Sequence, residues 1–428
     1  MEIKDIHNLF LECKSISIDT RKIENNSMFV AIKGERFDAN TFATEALEKG
    51  ASYVIIDNAD YYIDNRTLLT EDSLATLQEL AKFHRDYLKL PILALTGSNG
   101  KTTTKELINV VLSKRYNVKA TVGNLNNHIG VPLTLLSFDN QTEIGIVEMG
   151  ANHQKEIEFL CSIAKPDFGY ITNFGKAHLE GFGGLEGVIK GKSEMYVYLF
   201  ENKKTVFINL DDALQVEKTE GIDRYTFGTK GNDTNVVIDS VKADPFVSIK
   251  TQGMEIASHL IGIYNANNIN AAVTIGTYFK VEMDAIKQAI ENYIPENNRS
   301  QLLKKNTNDI ILDAYNANPS SMAVALENFM QLTITKKIAI LGDMFELGNE
   351  SLEEHKSIIA LTLKDKNTRF YFIGKDFYAN KTENANMSFF ETFEDLANDL
   401  TKNKIENATI LIKGSRGMAL ERSLEFLP

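Results

Sequence analysis

Short apolar runs alternate with helical stretches through the middle of the chain. Residues 92–95, 144–148, 168–172 and 206–209 are runs rich in β-branched or aromatic side chains, and residues 155–164 carry apolar positions at helical spacing. Runs of this kind, separated by helices, predict a mostly parallel sheet that is buried on both faces. In such a sheet, functional side chains collect at the carboxyl edge of the strands.

The pattern predicts two further units of the same α/β class. The N-terminal one has strands at 28–32 and 53–56 and helices at 41–49 and 71–88. After a polar stretch at 296–298 the pattern restarts, which predicts a doubly wound, Rossmann-like domain. Its strands are expected at 309–312, 337–341, 370–373 and 409–412, with helices at 320–330 and 350–363. We therefore predict three domains, at residues 1–88, 89–298 and 299–428.

The first strand of the central domain leads into a phosphate-binding pattern, ILALTGSNGKTTTKE at residues 92–106. An apolar strand, a glycine turn, Lys-Thr and a helix favour a nucleotide site, so the central domain is predicted to be a P-loop-type ATPase domain. The general pattern places a further glycine where this chain has Leu95. A glycine turn that caps a helix beside a surface lysine is the alternative. The expected contacts are Gly97, Ser98, Asn99, Gly100, Lys101, Thr102 and Thr103.

Composition narrows the possible partners. The 46 basic and 58 acidic residues give the 428-residue chain a formal charge of −12, which argues against generic nucleic-acid binding. The two cysteines match no metal or disulfide spacing. There is neither a signal-peptide pattern nor an apolar run long enough to span a membrane. We expect a cytoplasmic protein that is not inserted in a membrane.

Polar residues after the central strands are candidates for chemistry, each with a structural alternative. Glu148 follows a strand and could hold Mg²⁺, or could favour a helix N-terminus. His178 lies in a glycine-rich loop, either as a ligand or as a surface residue. Lys192 is best interpreted from its setting as charge on a solvated helix face. Asn265 and Asn268 could contact a base edge, or Asn265 could cap a helix.

The outer domains also carry candidates. Thr20 and Arg21 could clamp a diphosphate, although a solvated loop is favoured on pattern alone. In the third domain, polar strings at 313–319, 342–348 and 413–417 each follow a predicted strand. Three such strings on one sheet edge indicate a binding face.

Taken together, these strings resemble the Mur ligases, the ATP-dependent amide-forming enzymes of peptidoglycan precursor synthesis. The resemblance spans all three domains and is weaker in the first, and the family's own ATP loop lacks the distant glycine that Leu95 replaces here. In the first domain the family commonly has Asp-Gly-His where this chain has Asp38-Ala39-Asn40, which leaves the uridine contacts open. The strings are TGSNGKTTTKE (96–106), GNLNNHIGVPLTLL (123–136), EMGANH (148–153), TNFGKAHLEGFGG (172–184), DAYNANPSSM (313–322), LGDMFELG (341–348) and KGSRGMALE (413–421).

The resemblance implies roles for the central-domain residues. Lys101 and Thr102 would serve the ATP phosphates, and Mg²⁺ would be held by Thr102, Glu148, His178 and a carbamate formed on Lys192. Lys190 is the alternative carbamate position and fits the following residues less well. The residues implied in catalysis are Lys101, Lys192, His178 and Arg299.

The remaining implied roles concern the substrates. Asn265 and Asn268 would lie near the adenine, and Arg299 and Asp313 near the ATP. Thr20 and Arg21 of the first domain would contact the UDP group. The third domain would present the incoming dipeptide through Asn316, Asn318 and Ser320.

The reaction implied by the resemblance joins D-alanyl-D-alanine to UDP-N-acetylmuramoyl-tripeptide. ATP would convert the terminal carboxylate to an acyl phosphate, and the amine of the dipeptide would displace phosphate. We expect a monomer that uses ATP and Mg²⁺. The alternatives are a ligase of the same family that adds a different amino acid unit, and a nucleotide-binding protein without ligase activity.

Overall fold

The computed structural model describes residues 1–35, 37–229, 233–295 and 298–428. Strands in these ranges form three separate sheets, and helices cover them, so the predicted α/β class is confirmed. Each sheet lies within one of the three predicted domain ranges. No helix in the described part of the chain is both long and apolar enough to cross a bilayer.

The N-terminal sheet is parallel and has the strand order β1-β2-β3-β4. Its two predicted strands are present, and both are largely buried. The outer strands were not predicted because three residues are too few to show a pattern. The elements are β1 (Ser15–Ser17), β2 (Ser27–Val30), β3 (Ala51–Ile56), β4 (Thr67–Leu69), α1 (Ile3–Glu12), α2 (Ala43–Glu48) and α3 (Ser73–Leu88).

The central sheet has the order β13-β12-β11-β10-β9-β8-β5-β7-β6. It is parallel from β6 to β11, whereas β12 and β13 run antiparallel at one edge. Its strands are β5 (Ile92–Thr96), β6 (Val118–Ala120), β7 (Ile144–Glu148), β8 (Phe168–Ile171), β9 (Thr205–Asn209), β10 (Asp223–Thr229), β11 (Val236–Ala243), β12 (Phe246–Thr251) and β13 (Met254–Ile261). Its helices are α4 (Lys101–Leu112), α5 (Gly130–Leu136), α6 (Glu156–Ala164), α7 (Leu179–Phe182), α8 (Leu185–Glu201), α9 (Ala213–Lys218), α10 (Asn265–Tyr278) and α11 (Met283–Glu291).

The C-terminal sheet has the order β14-β15-β19-β16-β17-β18, with only the β14–β15 pair antiparallel. All four strands predicted for this domain are present and almost completely buried. The elements are β14 (Gln301–Lys305), β15 (Asn308–Asp313), β16 (Lys337–Gly342), β17 (Thr368–Ile373), β18 (Met387–Phe390), β19 (Thr409–Lys413), α12 (Pro319–Gln331), α13 (Ser351–Thr362), α14 (Lys375–Ala379) and α15 (Phe393–Lys402).

The central domain packs α4 and α10 against each other on one face of its sheet. Gly276 allows this approach, because a Cβ there would come within 2.5 Å of Val111. The core on this face is mostly apolar, with Leu107, Ile108 and Ile275 fully buried. Burial of such side chains contributes roughly 1.5–3 kcal/mol each and fixes the start of α4 at the edge of the sheet.

Candidate functional site

A cavity of about 1110 Å³ lies between the central and C-terminal domains, at the carboxyl edges of their sheets. Most predicted site residues line it, and they come from both the central and the C-terminal domain. Gly97, Lys192, Thr20 and Arg21 do not belong to its described lining. The predicted residues that line it are Ser98, Asn99, Gly100, Lys101, Thr102, Thr103, Glu148, His178, Asn265, Asn268, Arg299, Asp313, Asn316, Asn318 and Ser320.

The loop between β5 and α4 has the backbone of a phosphate cradle. Gly97 and Gly100 have φ angles of +142° and +79°, which side-chain-bearing residues rarely adopt. A Cβ at Gly97 would collide with the Thr172 hydroxyl, so the loop packs closely on the end of β8. The amides of Ser98 and Asn99 donate to the backbone and side-chain oxygens of Asn173, both at 3.1 Å. The loop is therefore held in place without a ligand.

Lys101 begins α4, and its ammonium donates to the Gly97 carbonyl at 2.8 Å. Burial lowers the pKa of Lys101, and the negative charge of Glu148 opposes that shift. Among the described residues, no side chain caps α4 at Gly100. The amides of the first turn and the lysine together form a positive site that suits phosphate oxygens.

Glu148 ends β7 and is only 2% exposed. One carboxylate oxygen, Oε1, accepts a hydrogen bond from the Asn126 side chain at 2.8 Å. The other, Oε2, is buried without a hydrogen-bond partner in the described part of the structure. A buried carboxylate oxygen without a partner calls for a cation, so Glu148 together with the Thr102 hydroxyl fits a Mg²⁺ ion.

His178 precedes α7 and reaches the C-terminal domain. Its Nδ1 is hydrogen-bonded to the carboxylate of Glu346, and this bond lowers the pKa of Glu346. The imidazole is mostly buried and lines the cavity. His178 is thus available to a ligand through its other ring nitrogen.

Lys192 lies inside the central domain, on α8, and is 1% exposed. The interpretation of this residue as solvated helix charge is therefore wrong. Its ammonium packs 5.3 Å from the centre of the Phe182 ring, and it has no hydrogen bond or ion pair within the described ranges. Burial lowers the pKa of Lys192 well below its usual value, and the charge of Lys101 adds to the effect.

Asn265 and Asn268 lie on α10 directly below the phosphate loop. The Asn268 amide donates to Asn265 Oδ1 at 2.8 Å, and its own oxygen accepts from the Thr104 hydroxyl at 3.0 Å. A Cβ at Gly100 would approach that oxygen to 2.6 Å. The predicted alternative of helix capping by Asn265 is wrong, because Asn265 is the first helical residue and donates to the Ile261 carbonyl.

The C-terminal wall of the cavity combines an ion pair with a stacked arginine. Asp313 and Lys413 end the neighbouring strands β15 and β19 and are joined at 2.6 Å. The guanidinium of Arg299 lies 3.7 Å from the centre of the Tyr315 ring. Cation–π contact of this kind holds a guanidinium in place while leaving its donors free for an anion.

The polar start of α12 touches the phosphate loop directly. Asn318 caps the helix through the Ser321 amide, and its own amide donates to the Asn99 side chain at 2.7 Å. Ser320 accepts a hydrogen bond from the Lys176 amide at 2.9 Å. The two domains are therefore in contact around the site.

The predicted polar string at residues 342–348 lies outside the described lining of the cavity. Asp343 is buried there, and its carboxylate accepts the amides of Asp376 and Phe377 at the start of α14. Glu346 of this segment contacts His178, which lines the cavity, and the prediction that all three strings form one binding face stays a prediction. Asp343 itself holds the start of α14.

Thr20 and Arg21 lie in a short 3₁₀ helix of the N-terminal domain. The Arg21 guanidinium is 85% exposed and makes two hydrogen bonds to Asp19, at 2.8 and 2.9 Å. Hydrogen bonding from Arg21 lowers the pKa of Asp19 to about 2. The predicted contact with UDP stays a prediction.

Sequence reasoning missed several side chains at the site. Asn126 belongs to a recognised string but had no role assigned to it, and Tyr315 lies inside DAYNANP. Their membership of these strings was the only signal available. Glu346 likewise lies inside LGDMFELG, whereas Tyr264 gave no signal, because its contact with Ser300 depends on how the domains meet.

A P-loop-type phosphate cradle that faces a Rossmann-like domain across a cavity defines a class of nucleotide-using protein. Within that class, the chain belongs to the Mur ligase family. Its residues match three family models: "Mur ligase family, catalytic domain" at 12–85, "Mur ligase middle domain" at 95–276, and "Mur ligase, glutamate ligase domain" at 298–416. The resemblance stated from the sequence is confirmed.

Characterised relatives match over nearly the whole chain. The UDP-N-acetylmuramoyl-tripeptide–D-alanyl-D-alanine ligases of Bacillus subtilis and Escherichia coli are each 34% identical. The matches cover 96% of this chain and 92% and 93% of those proteins. MurF from Acinetobacter baumannii superposes with a TM-score of 0.86 at 27% identity, covering 99% of this chain and 98% of that one. MurF from Thermotoga maritima in complex with ADP gives 0.84 at 27% identity, covering 97% of each chain.

Proposed function

We propose that this protein is the ATP-dependent ligase that joins D-alanyl-D-alanine to UDP-N-acetylmuramoyl-tripeptide, giving the pentapeptide precursor of peptidoglycan. One observation carries the proposal. A preformed phosphate loop, a buried carboxylate and a stacked arginine converge from two domains on a single cavity. The names of the full-length relatives supply the identity of the substrates.

The reaction proceeds in two steps. A carboxylate oxygen of the tripeptide attacks the γ-phosphorus of ATP. The bond between that phosphorus and the oxygen of the β-phosphate breaks. ADP departs, and the tripeptide carries an acyl phosphate. The dipeptide amine then attacks the acyl carbon, and the tetrahedral intermediate expels phosphate as the amide forms. One proton is released overall.

The protein contributes mainly position and charge. Lys101 and the start of α4 neutralise the phosphates of ATP, and Arg299, held on Tyr315, faces the same cavity. Both stabilise the charge that builds up on the transferred phosphoryl group. Asn265 and Asn268 shape the floor under the loop and are proposed to lie near the adenine, with Asp313 near the ATP.

Thr102, Glu148 and His178 are the residues proposed to hold Mg²⁺. The partnerless Glu148 oxygen supports this assignment. These residues would hold the ion beside the phosphate loop, where its positive charge would offset that of the ATP phosphates.

Lys192 is proposed to carry a carbamate, formed when its amine attacks CO₂ and releases a proton. Only a neutral amine is nucleophilic, and burial favours the neutral form of this lysine. The carbamate is an anion, so it would supply a charge suited to a second metal ion.

The outer domains are proposed to hold the other substrates. Thr20 and Arg21, in residues 1–88, would bind the UDP group. Residues 89–298 would bind the ATP. Residues 299–428 would bind the dipeptide through Asn316, Asn318 and Ser320. We further propose that the protein acts as a monomer. A cytoplasmic location fits the need for ATP, and the charge of −12 fits the absence of nucleic-acid partners.

The test is phosphate release from ATP with UDP-N-acetylmuramoyl-tripeptide, measured with and without D-alanyl-D-alanine. We expect release that requires both substrates, with a pentapeptide product by mass spectrometry. Release with a free amino acid instead of the dipeptide would move the function to another ligase of the family. ATP binding without release under either condition would favour a non-catalytic nucleotide-binding protein.

A further inference from the structure

The Glu346–His178 hydrogen bond crosses from the C-terminal domain to the central domain. The same two segments meet a second time, because the Glu180 amide donates to the Glu346 carbonyl at 3.3 Å. Nothing in the assigned roles above uses Glu346. The contact is therefore a candidate for a function of its own.

Both residues of this contact have unusual backbones. The φ angle is +54° at His178 and +62° at Glu346, and neither residue is glycine. Such conformations are strained for residues that carry a side chain, and they persist where the surroundings or the function demand them. Two of them meeting across one domain boundary indicate a contact that is built for a purpose.

Glu346 decides which nitrogen of His178 faces a ligand. A carboxylate only accepts hydrogen bonds, so the proton of the neutral imidazole lies on Nδ1. The lone pair is then on Nε2, which has no hydrogen bond to any described residue. A carboxylate on the far nitrogen also makes the free nitrogen a stronger metal ligand.

The segment that carries Glu346 is anchored to its own domain. The Met344 amide donates to the buried His355 at 2.9 Å, and the Phe345 amide donates to the Ser415 hydroxyl at 2.8 Å. Asp343 accepts two further amides from the start of α14. Glu346 therefore reaches His178 only when the two domains are in contact.

We propose that Glu346 is a positioning residue through which domain contact prepares His178 to bind Mg²⁺. The inference rests on the proposed function, since it assumes that His178 ligates the metal of the ligase. It adds that the metal site is complete only when the C-terminal domain is docked. A ligand supplied by one domain is thereby oriented by the other.

The test measures Mn²⁺ affinity by electron paramagnetic resonance, with ADP and UDP-N-acetylmuramoyl-tripeptide present. Glu346→Ala removes the acceptor, whereas Glu346→Gln keeps an amide oxygen that can still accept from Nδ1. We expect Mn²⁺ to bind about 10-fold or more weakly to Glu346→Ala and to recover partly in Glu346→Gln. The Mg²⁺ concentration for half-maximal turnover should follow the same order.

Glu354→Gln is the matched control. Glu354 pairs with Lys176 at 2.5 Å across the same domain boundary but does not touch His178. Its loss should leave Mn²⁺ affinity unchanged. Unchanged Mn²⁺ affinity in Glu346→Ala, or an equal loss in Glu354→Gln, would overturn the inference. Failure of the wild-type protein to make pentapeptide would instead count against the proposed function, which the same preparation tests separately.

Discussion

Lys192 is the residue whose chemistry changes most once its surroundings are known. On an exposed helix face it would be a permanent cation, but on α8 it is enclosed and lies against Phe182 of α7. Burial lowers the pKa of this amine more than the nearby Glu156 and Glu194 raise it, which favours its neutral, nucleophilic form. This is the form that reacts with CO₂.

We predict that Lys192→Ala loses at least about 100-fold in turnover, as expected when one group that stabilises the transition state is removed. Added formate or acetate should restore part of the activity, because a small carboxylate can occupy the space of the carbamate. Phosphate release at increasing carboxylate concentration is the measurement. Lys190→Ala is the control, since Lys190 lies two residues away and is exposed. Full activity in Lys192→Ala would rule out the carbamate.

Individual residues were predictable where one string carried the chemistry. The phosphate loop, Glu148 and Asp313 each follow a strand, so their place at a sheet edge could be read from local pattern. The burial of Lys192 could not be predicted from the sequence, because it depends on how α6 and α7 cover α8. Glu346 was missed for a similar reason, since its partner is 168 residues away.

At the scale of elements, the loop between β5 and α4 is the most constrained segment of the site. Gly97→Ala would place a methyl group against Thr172 at a φ of +142°. We predict that this variant loses most of its ATP affinity, because the loop must move away from β8. Isothermal titration with ATP measures the change. Gly253→Ala is a control with a positive φ and open space around its Cβ, and it should bind ATP normally. If Gly97→Ala bound ATP with wild-type affinity, the claim that this loop holds the ATP phosphates would be contradicted.

The packing of α1 on α3 makes the N-terminal domain sensitive to acid. His7 and His84 are buried side by side, with Nε2 of one 3.0 Å from Nδ1 of the other. Burial, helped by the neighbouring His84, lowers the pKa of His7 to about 4. Between pH 6.5 and 4 the unfolded chain therefore binds a proton that the folded chain excludes, and stability falls as the pH falls.

We predict that the melting temperature of wild-type protein decreases through this range and that His7→Phe decreases less steeply. Thermal unfolding from pH 7 to pH 4 measures both slopes. His153→Gln is the control, because His153 is exposed and should not alter the slope. Equal slopes in wild type and His7→Phe would show that the pair does not control acid stability.

Most elements of the sheets were predictable, because strands buried on both faces leave continuous apolar runs. All ten runs named from the sequence are strands in the structure. The strands β10 to β13, at one end of the central sheet, were not predicted, since they mix polar and apolar positions and are partly exposed. Very short strands such as β1 and β6 gave no pattern at all.

At the scale of the whole molecule, the cavity exists only because two domains meet. Asn99 and Asn318 join the phosphate loop to α12, and Lys176 contacts both Ser320 and Glu354. These contacts hold the two domains together around the region where an acyl phosphate would form. The sequence indicated three domains but could not show how they face each other, since no local pattern encodes a docking angle.

The most direct test of the central claim follows oxygen from substrate to phosphate. The tripeptide is labelled with ¹⁸O in both oxygens of its terminal carboxylate and incubated with ATP, Mg²⁺ and D-alanyl-D-alanine. An acyl phosphate keeps one labelled oxygen between carbon and phosphorus, and cleavage of the carbon–oxygen bond leaves it on phosphate. We predict inorganic phosphate with one ¹⁸O per pentapeptide formed, by mass spectrometry. Unlabelled phosphate would contradict the acyl phosphate route and the account of the site built on it.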